Sequence, residues 1–145
     1  MPHDSSRSLV RTAYAGRRVT APRRTIASAV VGFQGAFTVD ELATRVRHVD
    51  SASGATATVY RAVSAMEASG FVARVGERDG HALFARCTAP SHHHHIVCDS
   101  CGHVAHTACP LDSTLRSAAE SGFVITRHEV TMYGLCPQCT ARQGS

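Results

Sequence analysis

Two Cys-x-x-Cys pairs constrain this chain more than any other feature. Cys98-Asp-Ser-Cys101 and Cys136-Pro-Gln-Cys139 stand with residues 102–135 between them. Each pair offers two thiolates on a tight turn, and two such turns close a tetrahedron around one Zn²⁺. Four thiolates leave no open coordination position, so the expected role is structural: the end of the chain is tied back to the segment around Cys98. The competing use of such pairs, thiol redox chemistry, goes with a helix start inside a βαβ unit. Neither pair reads that way.

The same half of the chain holds the histidines. Eight of the 10 fall between His81 and His128, four of them in the unbroken run His92–His95. Alternate side chains of an extended segment face opposite ways. His92 and His94 then share one face, and His93 and His95 the other, so one run serves two metal sites back to back. A solvated polar run is the competing reading. Cys87, His106 and His128 nearby favour metal. Thr88-Ala-Pro-Ser91 reads as a boundary, giving domains 1–87 and 92–145 with a hinge at 88–91.

Charge divides the chain in the same place. Residues 1–89 carry a net of +5 and residues 90–145 a net of −1, which together make the formal +4 of the whole. A basic N-terminal half suits a polyanionic partner. No apolar run approaches the roughly 18 residues that would span a bilayer, and the Arg-containing N-terminus lacks an apolar signal core. The expectation is a cytoplasmic protein with no membrane partner.

The N-terminal half reads as helices followed by a hairpin. A short helix is expected around Arg7–Tyr14. Pro22 suits a first helical turn, and Ile26, Val30 and Phe33 follow at helical spacing. Thr38-Val-Asp-Glu41 is a capping box opening a helix with Leu42 and Val46 on one face. Val59, Ala62, Val63 and Met66 form an apolar stripe on a third helix, which Gly70 ends. Phe71–Val75 and Ala82–Arg86 read as strands joined by the turn GERDGH. Helices and hairpin in this order make a winged helix-turn-helix, with Thr56–Ser69 as recognition helix. Beyond the hinge, Ile96–Cys98, Val104–Thr107 and Phe123–Tyr133 read as strands. Pro110–Ser121 reads as a helix with Leu111 and Leu115 inward. The fold class is α+β: the winged helix-turn-helix domain, then a C-terminal α/β domain with the four-cysteine zinc site.

The order Thr58-Val-Tyr60-Arg61, HHHH-I-V-Cys-x-x-Cys-Gly, His128 and Gly-x-Cys-x-x-Cys resembles the ferric uptake regulator family of dimeric, metal-dependent repressors. The resemblance runs from Gly16-Arg-Arg-Val-Thr20 to Cys139. It implies that Cys98, Cys101, Cys136 and Cys139 hold structural zinc. It places His93 and His95 in a regulatory site at the hinge. His92, His94 and His128 match a further site in what the resemblance makes a C-terminal α/β dimerisation domain. Thr58, Tyr60 and Arg61 meet DNA from the recognition helix, and Arg18 and Arg23 contact phosphate or the minor groove.

Ligand softness selects among the family's metals. Nitrogen and oxygen donors of the iron and peroxide sensors fall here on Ala36 and Ala85. Cys87 stands just before the histidine run, as in the zinc-sensing branch, and a thiolate among imidazoles favours Zn²⁺ over Fe²⁺ or Mn²⁺. The alternative for Cys87 is a small buried hydrophobe. The branch's usual Asp is Ala73 here, so the fourth ligand falls to His106, with His81 a weaker candidate. The further site lacks its usual Glu, and Asp112, His103 or Cys109 stands in, Asp112 being the assignment adopted. The function expected is a zinc-responsive repressor binding palindromic double-stranded operator DNA as a homodimer; the alternative is a relative sensing iron, manganese, nickel or peroxide. An enzyme is not expected: a zinc deaminase needs a His-x-Glu that this chain lacks.

Overall fold

Thr38 shows how local chemistry sets this fold. Its hydroxyl accepts from the Glu41 N–H at 3.2 Å, and its own N–H donates to the Glu41 carboxylate at 2.8 Å. Two otherwise orphaned donors are thereby satisfied at the start of a helix. In the computed structural model, residues 3–87 and 91–144 are described, with side chains from residue 7 onward. The expected hinge at 88–91 lies outside the described residues except for Ser91. The chain runs α1 (His3–Ala13), α2 (Ala21–Val31), α3 (Val39–Val49), α4 (Thr56–Ala68), β1 (Val72–Arg78) and β2 (His81–Arg86). It continues with β3 (His94–Cys98), β4 (Val104–Thr107), α5 (Asp112–Glu120), β5 (Thr131–Gly134) and α6 (Pro137–Gln143).

The first helix extends further back than Arg7. Tyr14, just past its end, is buried and donates its hydroxyl to the Arg23 carbonyl at 2.9 Å, locking α1 to α2. Ile26 and Val30 of α2, Leu42 and Val46 of α3, and Val59, Ala62, Val63 and Met66 of α4 then fill one core. The expected stripe on α4 is thus its buried face, and Tyr60 on the other side is 61% exposed.

The hairpin is longer and its turn tighter than the sequence suggested. Only Asp79 and Gly80 turn, both with positive φ (52° and 78°), the pattern of a two-residue type I′ connection. β1 continues past Val75 because its register shifts between Arg74 and Gly76, after which Glu77 and Arg78 still find partners in Ala82 and His81. Phe37 exchanges two backbone hydrogen bonds with Phe84, each 2.8 Å, so the α2–α3 connection lies along the wing.

In the C-terminal unit, β3 is the central strand, antiparallel to β4 and parallel to β5. The expected strand Phe123–Tyr133 is present only as Thr131–Gly134. Residues 123–130 belong to no strand, and Phe123 and Val124 are 72% and 88% exposed. A strand needs a neighbour to take its backbone bonds, and among the described residues the β3 ladder reaches that segment only at its last residue, where the His95 N–H donates to the Val130 carbonyl at 3.4 Å. Leu111 and Leu115 are only half-buried, and α5 has no fully buried residue.

The wing and the C-terminal sheet pack directly. Val75, Leu83 and Ala85 form a second core with Val97 of β3. Thr131 donates its hydroxyl to the Val75 carbonyl at 2.9 Å, and the Glu77 N–H donates to the Tyr133 hydroxyl at 2.6 Å. The Ala36 N–H donates to the Gly102 carbonyl at 2.8 Å. The architecture is α+β: a winged helix-turn-helix followed by a smaller α/β unit that carries a four-cysteine cluster.

Candidate metal centres

The first cluster gathers Cys98, Cys101, Cys136 and Cys139. Cys98 ends β3 and Cys101 lies in the turn that follows; Cys136 caps α6 and Cys139 sits in its first turn. The four sulfurs lie within 4.8 Å of one another. The Cys101 and Cys136 sulfurs are 3.8 Å apart and all are free thiols. That spacing is far from a disulfide bond and equals the edge, about 3.8 Å, of a tetrahedron built on Zn–S bonds of about 2.3 Å. The Cys136 N–H reaches the Cys98 sulfur at 3.3 Å. With the N–H of Cys101 next in weight, it draws the Cys98 thiol down to about 6. The His103 N–H lowers the Cys101 thiol, but the facing thiols and burial outweigh it and hold it up at about 11. Four converging thiols resist joint ionisation unless a cation stands between them, so the donor set fits a metal.

The second cluster is Cys87, His93, His95 and His106. Cys87 follows β2; His95 and His106 are cross-strand partners in β3 and β4. The Cys87 sulfur lies 3.1 Å from His93 Nε2. The His93 and His106 rings stack at 4.8 Å, and His93 and His95 meet edge-on at 4.9 Å. His93 Nδ1–H donates to the Ser91 carbonyl at 2.6 Å, which leaves the Nε2 lone pair facing inward. Outer hydrogen bonds of this kind fix a metal-ligating tautomer. His95 Nε2 is buried and has no hydrogen-bond partner. An orphaned buried nitrogen is costly and is what a missing cation leaves behind. Burial, then His93, His106 and His94, push His95 down to about 4, and burial and then His93 lower His106. These imidazoles are neutral and available as ligands at neutral pH. His81 and His103 are exposed and stand outside the cluster.

The third cluster is His92, His94, Cys109 and His128. His128 Nε2 lies 2.9 Å from His92 Nε2, 3.2 Å from His94 Nε2 and 3.2 Å from the Cys109 sulfur. Asp112, the expected fourth member, does not join it. It is the exposed first residue of α5, and the chain turns at Pro110 so that Cys109 faces inward instead. The alternation along the histidine run places His92 and His94 in one cluster and His93 and His95 in the other.

The expected DNA-facing residues are placed unevenly. Tyr60, Arg61 and Arg18 are exposed, while Thr58 is half-buried at the start of α4. Arg23 is half-buried: its guanidinium donates to the Arg18 carbonyl at 3.0 Å and lies 5.2 Å over the Tyr14 ring. Its geometry holds the Arg18 segment in place. The contacts that sequence reasoning missed are backbone ones: Ser91 behind His93, Val130 behind His94, and Gly102 against Ala36. Carbonyls and N–H groups carry no residue-type signal from which to find them.

The family model described as "Ferric uptake regulator family" matches residues 14–133. The ferric uptake regulation protein of Legionella pneumophila is 38% identical over 85 residues, 57% of this chain, and this chain spans 62% of its length. A solved zinc uptake regulator complexed with zinc and DNA has a TM-score of 0.77 at 24% identity, covering 97% of this chain and 99% of its own. Holo XcZur has a TM-score of 0.65 at 27% identity, covering 94% of this chain and 97% of its own. With the match running from Tyr14 through β3 and the histidine run to Tyr133, the chain belongs to the ferric uptake regulator family.

Proposed function

We propose that this chain is a zinc-responsive transcriptional repressor that binds palindromic operator DNA as a homodimer in the cytoplasm. It is a family of regulators, so the chain is not an enzyme. The observation that carries the reading is the Cys87–His93–His95–His106 cluster, which contains a thiol and three imidazoles and no carboxylate. Such a set favours Zn²⁺ over Fe²⁺ or Mn²⁺. In this reading residues 1–87 bind DNA, 88–91 are the hinge and 92–145 form the dimerisation domain, where structural Zn²⁺ sits among Cys98, Cys101, Cys136 and Cys139. The exposed Phe123, Val124 and Ile125 support a second copy as the cover of that face.

Bound Zn²⁺ supplies a cross-link without redox chemistry. Cys87 comes from the end of the wing and the three histidines from the C-terminal unit. Joining them holds the wing against β3 and β4 and so fixes the direction of α4. In a two-fold dimer this sets the separation of the two recognition helices, which must match the half-site spacing. Arg61 and Tyr60 then reach bases and Arg18 reaches backbone or minor groove, with Thr58 lining the helix start and Arg23 holding the Arg18 segment.

The alternative is a relative that senses iron, manganese, nickel or peroxide; the name of the Legionella protein favours iron. Operator binding at buffered free Zn²⁺, Fe²⁺ and Mn²⁺, for the parent and Cys87→Ser, separates them. Zinc-dependent binding that shifts to much higher zinc in the variant supports the proposal. Binding that follows Fe²⁺ or Mn²⁺ and ignores Cys87 overturns it.

A further inference from the structure

The wing is a two-stranded sheet, so the outer edge of β1 has no third strand to take its backbone groups. The register of β1 shifts between Arg74 and Gly76, which leaves Val75 without a partner in β2. Two side chains of β5 meet that stretch instead. The Thr131 hydroxyl donates to the Val75 carbonyl at 2.9 Å, and the Tyr133 hydroxyl accepts from the Glu77 N–H at 2.6 Å. Thr131 and Tyr133 stand on one face of β5 because alternate residues of a strand share a face. Gly76 lies between the two gripped residues. A Cβ there would stand 3.0 Å from Thr131 Cγ2 and 3.1 Å from Tyr133 Cζ, and 2.5 Å from the Tyr133 hydroxyl. Gly76 has no positive φ, so its backbone suits any residue. What the missing side chain permits is the close approach of β5.

We propose that Thr131 and Tyr133 are positioning residues that clasp the wing onto the C-terminal sheet without a metal, and that the strength of this clasp sets how much regulatory metal the protein needs. The inference rests on the reading above, in which the wing docked on β3 is the DNA-competent arrangement. Neither residue belongs to any of the three metal clusters. β5 runs parallel to β3, with Thr131 beside His95 and Tyr133 beside Val97. Cys87 follows the open end of the hairpin, where Val72 pairs with Arg86, and Val75–Glu77 lie toward its turn. The wing is therefore held at two points along its length. One point of attachment leaves a pivot, whereas two fix a direction.

Clasp and metal act on one equilibrium. Cys87 comes from the wing and His93, His95 and His106 from the C-terminal unit, so the cluster is complete only when the two are docked. The apparent affinity for metal then scales with the fraction already docked. One net hydrogen bond is worth roughly a 2- to 13-fold change in such an equilibrium. Losing the Tyr133 bond should raise the metal needed at the Cys87 cluster by that factor. At saturating metal the difference should vanish, because bound metal then supplies the docking. A residue that only stabilised the C-terminal fold would weaken operator binding at every metal concentration instead.

Two readouts on the full-length protein, with zinc kept in the four-cysteine cluster, test the clasp. The first is protection of the Cys87 thiol from alkylation, followed by peptide mass across buffered free Zn²⁺. Tyr133→Phe and Thr131→Val should each move its midpoint up by roughly 2- to 13-fold, with unchanged far-ultraviolet circular dichroism. Thr131→Ser keeps the hydroxyl and should stay at the parent value. Gly76→Ala drives β5 off the edge of β1 and should move the midpoint at least as far as Tyr133→Phe. The second readout is small-angle scattering before regulatory zinc is added, where Tyr133→Phe and Gly76→Ala should show a larger radius than the parent. A parent-like midpoint or a parent-like radius in both of these variants overturns the proposal. If zinc fails to protect Cys87 in the parent, the zinc-sensor reading falls, and the scattering comparison still decides the clasp.

Discussion

Gly35→Ala tests whether docking of the wing domain on the four-cysteine turn matters for function. Gly35 lies just before Ala36, whose N–H donates to the Gly102 carbonyl at 2.8 Å. A Cβ at residue 35 would stand 2.9 Å from the Gly102 carbonyl carbon and 3.3 Å from the His103 nitrogen, and closer still to the carbonyl oxygen. All three are backbone atoms of the turn that Cys98 and Cys101 anchor, so they cannot swing aside. Gly35 has no positive φ, so alanine suits the local backbone and the clash falls wholly on the contact between the two units. Opening that contact exchanges the bond between Ala36 N–H and Gly102 C=O for bonds to water, at a cost of about 0.5–1.5 kcal/mol. If the docked arrangement is the DNA-competent one, operator affinity at saturating zinc should fall by about 2- to 13-fold. Fluorescence anisotropy with operator DNA reads this, zinc content per protomer should stay at the parent value, and small-angle scattering should show a larger radius. Parent-like affinity and radius would refute the reasoning, since the docking contact would then carry no free energy between the units.

Met66→Ala should cost about 2–5 kcal/mol, because Met66 is 0% exposed at the meeting of α4 with the core; thermal unfolding of the zinc-loaded protein measures it, and a loss below 1 kcal/mol would mean the site collapses freely. Thr38→Ala should cost about 1 kcal/mol through the lost helix cap, read from denaturant midpoints. Arg61→Ala should weaken operator binding by about 1–3 kcal/mol and relax base preference at the position it reads without changing stability, whereas Arg23→Ala should lower stability, since its guanidinium is already occupied by Arg18 and Tyr14. Burial, with His93 and His106, holds His95 at about 4, below the ordinary 6.5. The metal-free fold therefore keeps this contribution above 6.5 and loses it as pH falls toward 4. A ring-proton titration of His95 centred at 6.5 would contradict that environment.

What the sequence revealed depended on how far apart the partners stood. The capping box needs only Thr38 and Glu41, three residues apart, and it is present. The apolar stripe of α4 is a local repeat, and it is the buried face. The assignment of His92 with His94 and of His93 with His95 follows from the two-residue period of a strand. Failures began where distant backbone decides. Nothing local says that β1 survives its irregularity at Val75 to reach Arg78, because that depends on partners across the hairpin. Residues 123–129 have strand-like composition but no ladder partner among the described residues. The sequence offers Asp112, His103 and Cys109 alike for the further site; the turn at Pro110, which leaves Asp112 exposed and turns Cys109 inward, is not written in residue types.

One short strand links all of these features. β3 spans five residues, His94–Cys98. His94 belongs to the Cys109 cluster, His95 to the Cys87 cluster and Cys98 to the four-cysteine cluster, and Val97 packs against Val75, Leu83 and Ala85 of the hairpin. A register slip of one residue would reverse every side chain on such a strand. It would take His95 from one cluster into the other, turn Val97 out of the apolar core and carry Cys98 away from Cys136. Each of these losses is costly by a separate mechanism, so the register is pinned at four of the five residues. A strand fixed in this way shifts as a rigid body or not at all. Ligation at His93 and His95 can therefore reach the wing by two routes, directly through Cys87 and through the packing of Val97 against the hairpin core.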